Sequence, residues 1–406
     1  MMGPNRVVVT GLGVVSAIGH DTVGFWESLR EGRHGFREIQ LADTSMTQYH
    51  LGAEVRGLDL DTPFAGSMDR LLDRFARLWL LAARQAVRAS GAEPSDLAEG
   101  AVVTGTGLGG QTTQDELFSA LYREGKQRLT AFAVPRIMSS AGASHASMEL
   151  GMRGPGLTVS TACASSNHAI GLAYWMVRSG AAPIALTGGS EAPFSLGHLK
   201  AWDMMRAVSP DLCRPFSHGR KGLVLGEGAG ALVLESLDHA RARGAAIHAE
   251  VRGFGMSSDA THITQPSGCG AGRAIAAALR DAGASPDSVD YINAHGTGTP
   301  LNAASECKAL RCALGEHASK VFVSSTKSMH GHALGASGAL EAVATVLSIE
   351  NGVVPPTANY LGLDPECPLD VVPNTAREKP IRFALSNSFA FGGLNAVLAL
   401  GRWNGN

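Results

Sequence analysis

Cys163 is the residue of this chain best placed for nucleophilic chemistry. It lies between a β-branched run at 157–159, which predicts a buried strand, and an apolar run at 169–177, which predicts a helix. At such a turn, free main-chain N–H groups and the positive helix end surround the sulfur, and both favour the thiolate over a thiol of pKa roughly 8.5. The alternative interpretation is a buried structural cysteine, the more common fate of a cysteine in apolar surroundings.

Two histidines and a loop of backbone amides complete a possible catalytic set. His295 and His332 each follow a predicted strand and lie in loops rich in glycine or serine. A neutral imidazole can donate an N–H to a thioester oxygen, so two such donors suit a reaction that makes an enolate. The loop 387–395 has two glycines after Phe391. Its N–H groups, together with that of Cys163, predict an oxyanion hole.

A lysine and a glutamate flank the second histidine. Lys327 lies five residues before His332, and Glu341 lies on the predicted helix that follows. A buried lysine needs a negatively charged partner. We therefore expect a Lys327–Glu341 ion pair that tunes the electric field around the histidines.

Predicted strands alternate with predicted helices along the whole chain, which favours α/β layers. The strands show little polar alternation, which predicts sheets covered on both faces. The segment Val159–Ser166 matches Val323–Ser328, and each precedes a helix of small residues. We predict an internal duplication, with an N-terminal half at 1–246 that carries the cysteine and a C-terminal half at 247–406 that carries both histidines. Cys163 and His332 should then face each other across a pseudo-two-fold axis.

Composition excludes several classes of protein. The chain has 406 residues, 50 glycines, 45% hydrophobic residues and a net charge of −2, which is typical of a compact enzyme and gives no support for nucleic-acid binding. The six cysteines include no Cys-x-x-Cys pair, which argues against zinc and suits free thiols in a reducing cytosol. The sequence shows neither a signal-peptide pattern nor an uninterrupted apolar run of membrane-spanning length, so we expect no membrane association and a cytoplasmic location.

Four motifs, in this order, closely resemble those of the β-ketoacyl-[acyl-carrier-protein] synthases, in particular the elongating, FabF-like Cys-His-His enzymes. They are Thr161–Ser165, Asn293–Thr299, Ser325–His332 and Ser386–Gly393. The resemblance extends from Val7 to Leu400. It implies the thiolase-like five-layer αβαβα fold, usually as a homodimer.

The resemblance also implies a decarboxylative Claisen condensation without a bound cofactor. Cys163 would take an acyl chain, as a thioester, from the phosphopantetheine of an acyl carrier protein. His295 and His332 would promote decarboxylation of malonyl-carrier protein and stabilise the enolate, which attacks the acyl thioester to give a β-ketoacyl-carrier protein. The N–H groups of Cys163 and Phe391 would hold the oxyanion.

Further residues match positions that contact substrate, cation or carrier in the family. The substrate-binding set is Thr297, Thr299, Phe389, Leu108, Trp202 and the gate residue Phe391. A structural monovalent-cation site in some members matches Asn293, Glu341, Ser386 and Asn387. An acidic carrier protein needs a basic docking surface, for which the candidates are Arg70, Arg74, Lys126, Arg128 and Arg206.

Several departures from the family pattern bear on substrate and partner. A carboxylate usual after the Thr299 motif is missing, because the chain has Asn302-Ala303 there, whereas Glu306 is kept. Trp202 is bulkier than expected, and its surroundings resemble those of synthases that make unusual, unsaturated or polyene chains. Specialised polyene, polyketide or unusual fatty-acid synthesis is therefore favoured. Housekeeping fatty-acid elongation, or a catalytic subunit that needs a chain-length-factor-like partner in a heterodimer, are the alternatives.

Three other members of this superfamily fit the sequence less well. A thiolase should carry a second active-site cysteine in the last glycine-rich loop, where this chain has Phe389-Ala-Phe-Gly-Gly. An initiating synthase would place asparagine where His332 stands. A non-catalytic chain-length partner would have lost the nucleophile, which Cys163 argues against.

Overall fold

The computed structural model describes residues 4–66 and 68–405. The first three residues of the N-terminal stretch considered for a signal peptide lie outside the described residues. The strands are β1 Val7–Ser16, β2 Arg37–Glu38, β3 Leu51–Gly52, β4 Ala101–Gly105, β5 Gly156–Val159, β6 Ile184–Glu191, β7 Gly228–Ser236, β8 Ala249–Ser258, β9 Tyr291–Asn293, β10 Phe322–Ser324, β11 Val353–Val354, β12 Arg377–Glu378, β13 Phe383–Phe389 and β14 Leu394–Arg402.

The helices alternate with these strands in both halves of the chain. They are α1 Thr22–Glu31, α2 Arg74–Ser90, α3 Pro94–Leu97, α4 Gln111–Tyr122, α5 Ala133–Ile137, α6 Ala141–Leu150, α7 Ser165–Ser179, α8 Leu196–Met205, α9 Leu237–Ala242, α10 Gly268–Asp281, α11 Pro300–Leu314, α12 Lys327–His330 and α13 Ser337–Asn351.

The large sheet shows the duplication directly. Its strand order in the described residues is β10-β9-β13-β14-β8-β1-β7-β6-β4-β5. Read outward from the centre, each half has its first, fifth, fourth, second and third strand in chain order, with the same pattern of antiparallel and parallel pairs. β1 and β8 pair antiparallel and join the two halves. Because each half repeats one topology, equivalent turns of the two halves meet near the centre.

Helices cover both faces of this sheet system. α7 and α13 pack against each other and against strands of both halves, and α13 is buried from Ser337 to Ile349. A helix buried on every side belongs in an interior, which is where α13 lies, and α7 packs beside it with most of its residues buried. α2 packs on β1 and β7, and α10 packs on β8 and β14, as outer layers. The result is the five-layer α/β arrangement that the sequence predicted.

One cysteine pair differs from the expectation of six free thiols. Cys307 and Cys367 are joined as a disulfide, with their Cα atoms 5.8 Å apart. The 60 residues between them hide this pairing from the sequence, because only the packing of α11 against the segment around Cys367 brings the two sulfurs together. Among the described residues, no helix is long and apolar enough to cross a membrane.

Candidate active site

The turn that carries Cys163 is strained and closely held. β5 ends at Val159 and α7 begins at Ser165, so the cysteine lies two residues before the helix. Ala162 has a φ of +49°, a left-handed conformation that costs a non-glycine residue of order 1 kcal/mol. The Ser165 Oγ accepts the N–H of Thr161 at 2.9 Å and donates to the carbonyl of Ala162, which fixes the turn.

The sulfur of Cys163 is buried and has backbone amides beside it. The residue is only 7% exposed, and the N–H groups of Cys163 and Phe391 are close enough to the sulfur to lower its pKa. Burial nevertheless raises the pKa of Cys163 to about 12, against the lowering effects of the Lys327 charge and these two amides. The expectation of a thiolate favoured by its turn is therefore wrong for the resting enzyme, because loss of hydration outweighs the donors. The same two amides form the pair predicted for an oxyanion hole.

His332 faces the cysteine across the boundary between the two halves, as the duplication predicted. Its Nε2 lies 3.1 Å from the Cys163 Sγ. Its Nδ1 accepts the backbone N–H of Leu334 at 3.2 Å and lies 2.8 Å from the Ser337 Oγ. Since Nδ1 is an acceptor, a neutral ring carries its proton on Nε2, directed at the sulfur.

His295 is held in the same tautomer by a different donor. The Lys327 Nζ lies 3.4 Å from the His295 Nδ1, and an ammonium can only donate there. The two imidazoles meet edge to face with centroids 5.5 Å apart. Burial, followed by the Lys327 charge, lowers the pKa of both His295 and His332 well below 6.5. Both rings are therefore neutral N–H donors at physiological pH.

Lys327 and Glu341 form the predicted ion pair, and both are fully buried. Burial raises the pKa of Glu341 to about 7, while the charge of Lys327 opposes that rise. Because one ammonium contacts both the carboxylate and His295, the pair places a positive charge beside the imidazoles. That charge disfavours an imidazolium.

Two neighbouring side chains take over the support expected from the missing family carboxylate. Glu306 is fully buried and accepts the N–H groups of His295 and Gly296, each at 2.8 Å. Asn302 accepts the N–H of Thr297 at 2.9 Å. Ala303 is buried in an apolar cluster with Cys307 and Cys367, where an unpaired carboxylate would be costly.

A cavity of about 240 Å³ reaches Cys163, His295 and His332 from the surface. Thr297 and Thr299 line it, and their hydroxyl oxygens are 2.9 Å apart. Hydroxyl groups along a narrow cavity suit the hydrogen bonds that pantetheine amides offer and accept.

Aromatic side chains close the inner part of the cavity. Phe391 is 38% exposed and stacks on Trp202 with centroids 6.0 Å apart, while Phe389 packs edge-on against His295. All three aromatic residues line the cavity. Leu108 does not line it; this half-buried residue packs against the apolar cluster that contains Trp202 and Leu334.

The predicted docking residues separate into two groups. The expectation for Arg74 is corrected. Its guanidinium forms an ion pair with the buried Glu227 and donates to the Val55 carbonyl, so the side chain is not available to a carrier protein. The side chains that remain exposed are those of Arg70, Lys126, Arg128 and Arg206.

The predicted cation site contains buried oxygens without partners. The Glu341 Oε2, Ser386 Oγ and Asn387 Oδ1 atoms have no hydrogen-bond partner among the described residues, whereas Asn293 contacts Thr326. Such orphaned acceptors suit a monovalent cation, since a buried oxygen without a partner is costly. The described residues contain no group of three or more His, Cys, Asp or Glu arranged to hold a metal ion.

Sequence reasoning did not single out Glu191 as a site residue. It ends β6, is fully buried, and accepts four hydrogen bonds from the loops beside the catalytic pair. The available signal was a carboxylate at the end of an apolar strand, directly after Gly188-Gly189-Ser190. A buried carboxylate of that kind needs donors from elsewhere in the fold, and no pattern along the chain identifies them.

Comparison with known proteins agrees with this geometry. The family model for the N-terminal domain of beta-ketoacyl synthases matches residues 4–240, and that for the C-terminal domain matches residues 248–361. Nodulation protein E of Rhizobium sp. (strain N33) is 48% identical over 400 residues, covering 97% of this chain and 98% of the relative. The 3-oxoacyl-[acyl-carrier-protein] synthase 2 of Staphylococcus aureus (strain N315) is 42% identical over 402 residues, covering 97% of each.

A solved structure extends the likeness to three dimensions. The ishigamide ketosynthase/chain length factor superposes with a TM-score of 0.95 at 40% sequence identity, covering 99% of this chain and all of that one. With both family models matched, and with a cysteine and two neutral histidines around one cavity, the chain belongs to the β-ketoacyl synthase family of condensing enzymes.

Proposed function

We propose that Cys163 is the acyl acceptor and that His295 and His332 act on the malonyl thioester in this condensation. One observation carries the assignment: the Cys163 sulfur lies 3.1 Å from the His332 Nε2, in the cavity that His295 also lines. In the first step, the sulfur attacks the thioester of an acyl-carrier protein, and the Cys163 and Phe391 amides hold the oxyanion. The thiol proton leaves on the pantetheine thiol.

The second step uses the two histidines. Malonyl-carrier protein loses CO₂, and the electron pair of the broken bond becomes an enolate whose oxygen accepts the Nε2–H groups of His295 and His332. The carbanion attacks the acyl carbonyl on Cys163, the new C–C bond forms, and the cysteine sulfur leaves and recovers a proton. Neutral imidazoles suit this role, because an N–H donor to a developing oxyanion needs no proton transfer.

The proposed partner is an acyl carrier protein that delivers phosphopantetheine. Thr297 and Thr299 would bind its amides along the cavity, and Arg70, Lys126, Arg128 and Arg206 would contact its acidic surface. Because that substrate is made and carried in the cytoplasm, we place the enzyme there. A monovalent cation would fill the oxygens of Asn293, Glu341, Ser386 and Asn387 as a structural ion.

Specialised chain synthesis is the favoured pathway class. It is supported by 48% identity to nodulation protein E against 42% to the synthase 2 of S. aureus, and by the ishigamide ketosynthase/chain length factor. The buried indole of Trp202 on the cavity wall also favours a shaped acyl chain. Ordinary fatty-acid elongation is the second candidate, favoured by that same 42% identity. The protein works either as a homodimer or with a chain-length-factor-like subunit.

Intact-mass spectrometry tests the proposal. The protein is mixed with acyl-carrier proteins of varied chain length and unsaturation, in parallel with Cys163→Ala. We expect an acyl adduct on the wild type and none on the variant, and the preferred chain separates specialised from housekeeping use. Acylation that persists in Cys163→Ala would contradict the nucleophile assignment. Loading only after addition of a second subunit would establish the heterodimer.

A further inference from the structure

Glu191 is a fully buried carboxylate for which the proposed reaction has no use. Its Oε1 accepts the hydroxyl of Thr106 at 2.8 Å and the N–H of Leu108 at 3.1 Å. Its Oε2 accepts the N–H of Gly107 at 2.7 Å and that of Gly335 at 2.9 Å. All four donors are neutral, so the carboxylate is held by hydrogen bonds alone.

The four donors come from two loops that meet around this carboxylate. Thr106, Gly107 and Leu108 follow β4, whereas Gly335 follows His332 in the other half of the chain. A Cβ on Gly335 would lie 2.6 Å from the Glu191 Oε2 and 2.3 Å from the Gly107 nitrogen, which no side chain tolerates. Glycine at this position therefore allows the two backbones to touch the same carboxylate oxygen.

The second of these loops is strained at the point where it orients His332. Leu334 has a φ of +45°, which is unfavourable for leucine, and its N–H donates to the His332 Nδ1 at 3.2 Å. Backbone strain of this kind persists only where the surroundings fix it. The N–H of the next residue, Gly335, is fixed by Glu191. The carboxylate thus supports the turn that directs the His332 Nε2 at Cys163.

The first loop carries the predicted acyl-pocket residue. The Leu108 side chain packs against the apolar cluster that contains Trp202 and Leu334, whereas its backbone N–H is held by Glu191. Trp202 lines the cavity, so Leu108 lies behind the cavity wall, where a displacement of Trp202 by an acyl chain can reach it. The charge of Glu191 also raises the pKa of Cys163, in keeping with the closeness of the two groups.

We infer that Glu191 is a positioning residue that couples the cavity wall, where Leu108 packs behind Trp202, to the His332–Cys163 pair. A displacement of that wall then changes the alignment of His332 through one carboxylate and two backbone loops. This inference rests on the proposed function, since it takes the cavity at Trp202 as the acyl site and assigns His332 to decarboxylation. It adds a route by which a bound acyl chain of suitable shape changes the position of the catalytic histidine.

Glu191→Gln is the variant that removes the coupling with the least change of shape. An amide has one acceptor oxygen, so its NH₂ must face either Leu108 and Thr106 or Gly107 and Gly335. In either orientation the loop at 106–108 loses an acceptor and meets a donor instead, and in the second orientation the loop at Gly335 does so too. Glu235→Gln is the matched control, because Glu235 is also fully buried but bonds Thr10, His239 and Arg243 at the far end of β7.

A double-mutant cycle with Leu108→Ala measures the coupling. The first readout is the rate of malonyl-carrier decarboxylation, and the second is the rate at which iodoacetamide alkylates Cys163. We expect Leu108→Ala to change each rate about tenfold in the wild-type background and less than about twofold in the Glu191→Gln background, because misplacement on the 1 Å scale costs up to about 100-fold. In the Glu235→Gln background the tenfold effect should remain, and Glu191→Asp should restore part of it.

Additive effects of Leu108→Ala and Glu191→Gln, with the melting temperature alone lowered, would overturn the inference and leave Glu191 as a structural residue. Alkylation of Cys163 needs no carrier protein. If the two substitutions have non-additive effects on the alkylation rate but the wild type does not decarboxylate malonyl-carrier protein, the coupling is retained and the proposed function is rejected. If their effects on the alkylation rate are additive while the wild type does decarboxylate malonyl-carrier protein, the proposed function is retained and the coupling is rejected.

Discussion

Two opposing effects act on the pKa of the Cys163 thiol, and their balance decides whether the resting sulfur is protonated. Two backbone amides and the Lys327 charge favour the thiolate, but burial dominates and raises the pKa to about 12. The resting sulfur is therefore a thiol, which is a weaker nucleophile than the thiolate. Its turn supplies the two amides in advance, so the oxyanion finds donors that need no rearrangement. Neutral His295 and His332 complete the set, each with its tautomer fixed by a donor at Nδ1.

The charge of Lys327 should set the acid side of the pH–rate profile. Burial, and after it this charge, lowers the pKa of His295 and His332, so decarboxylation by the wild type should hold nearly constant from about pH 7.5 down to about pH 6. In Lys327→Met combined with Glu341→Gln, no positive charge opposes an imidazolium. Both histidine pKa values then rise, and the rate should fall severalfold over that same range.

The measurement is CO₂ release from malonyl-carrier protein as a function of pH. The double variant removes both members of the ion pair, so no buried carboxylate is left without a partner. Lys320→Met, at an exposed lysine, is the control and should keep the wild-type profile. Equal profiles in the double variant and the wild type would show that burial alone keeps the histidines neutral.

At the scale of the element, α8 presents the cavity wall. Trp202 lies on this helix, and its Nε1 donates to the Nε2 of His198, one turn earlier, at 2.8 Å. Burial lowers the pKa of His198 to about 4, so that ring is a neutral acceptor. The indole is thereby fixed against Phe391, and a fixed wall discriminates between chains by shape.

Trp202→Phe should enlarge the pocket and relax the selection of chains. The smaller ring lacks the indole N–H, so the bond to His198 is lost together with part of the wall. We expect acylation of Cys163 by chains longer than the preferred one to rise by roughly tenfold, since a few methylene groups are worth that much in an apolar pocket. Rates of acylation across a chain-length series measure the effect. Trp175→Phe, at a half-exposed tryptophan that packs on Phe254, should change nothing.

For the whole molecule, the duplication explains why the site lies where it does. Each half repeats the same strand order, and antiparallel pairing of β1 with β8 joins them. α7, which follows the cysteine turn, and α13, which follows His332, pack together at the centre. Neither half holds a complete site, so condensation depends on the packing between them. The exact boundary at 246/247 stays a prediction.

Carrier docking is also a property of the whole surface. Arg128→Glu with Arg206→Glu should raise KM for the acyl-carrier protein severalfold and leave kcat nearly unchanged, because rim charges act mainly on association. Steady-state kinetics at two salt concentrations measure this, and the effect should shrink at high salt. Arg402→Glu is the control, since this exposed arginine ends β14, roughly 26 Å along the strand from the loop of Phe391. An unchanged KM would exclude this patch.

The sequence by itself determined the fold class, the duplication and the Lys327–Glu341 pair, and it predicted the catalytic trio of Cys163, His295 and His332. Each of these depends on local patterns: apolar strands, small-residue helices, and polar residues at strand ends. The family resemblance added the reaction, which the comparisons confirmed. Roles of individual residues stay proposals, although the structure places those of the trio around one cavity.

Only the tertiary structure decided the properties that depend on distant neighbours. Burial raised the pKa of Cys163, where the turn had been expected to lower it. The ion pair with Glu227 makes Arg74 unavailable for docking. Packing brought Cys307 and Cys367 together as a disulfide. Glu191 acquired its four donors from two separate loops. Hydration and pairing are set by whatever surrounds a group in space, and in these examples the neighbours come from chain segments 60 to 169 residues away. Patterns along the chain record which residues are present, whereas the packing of the two halves decides which of them meet.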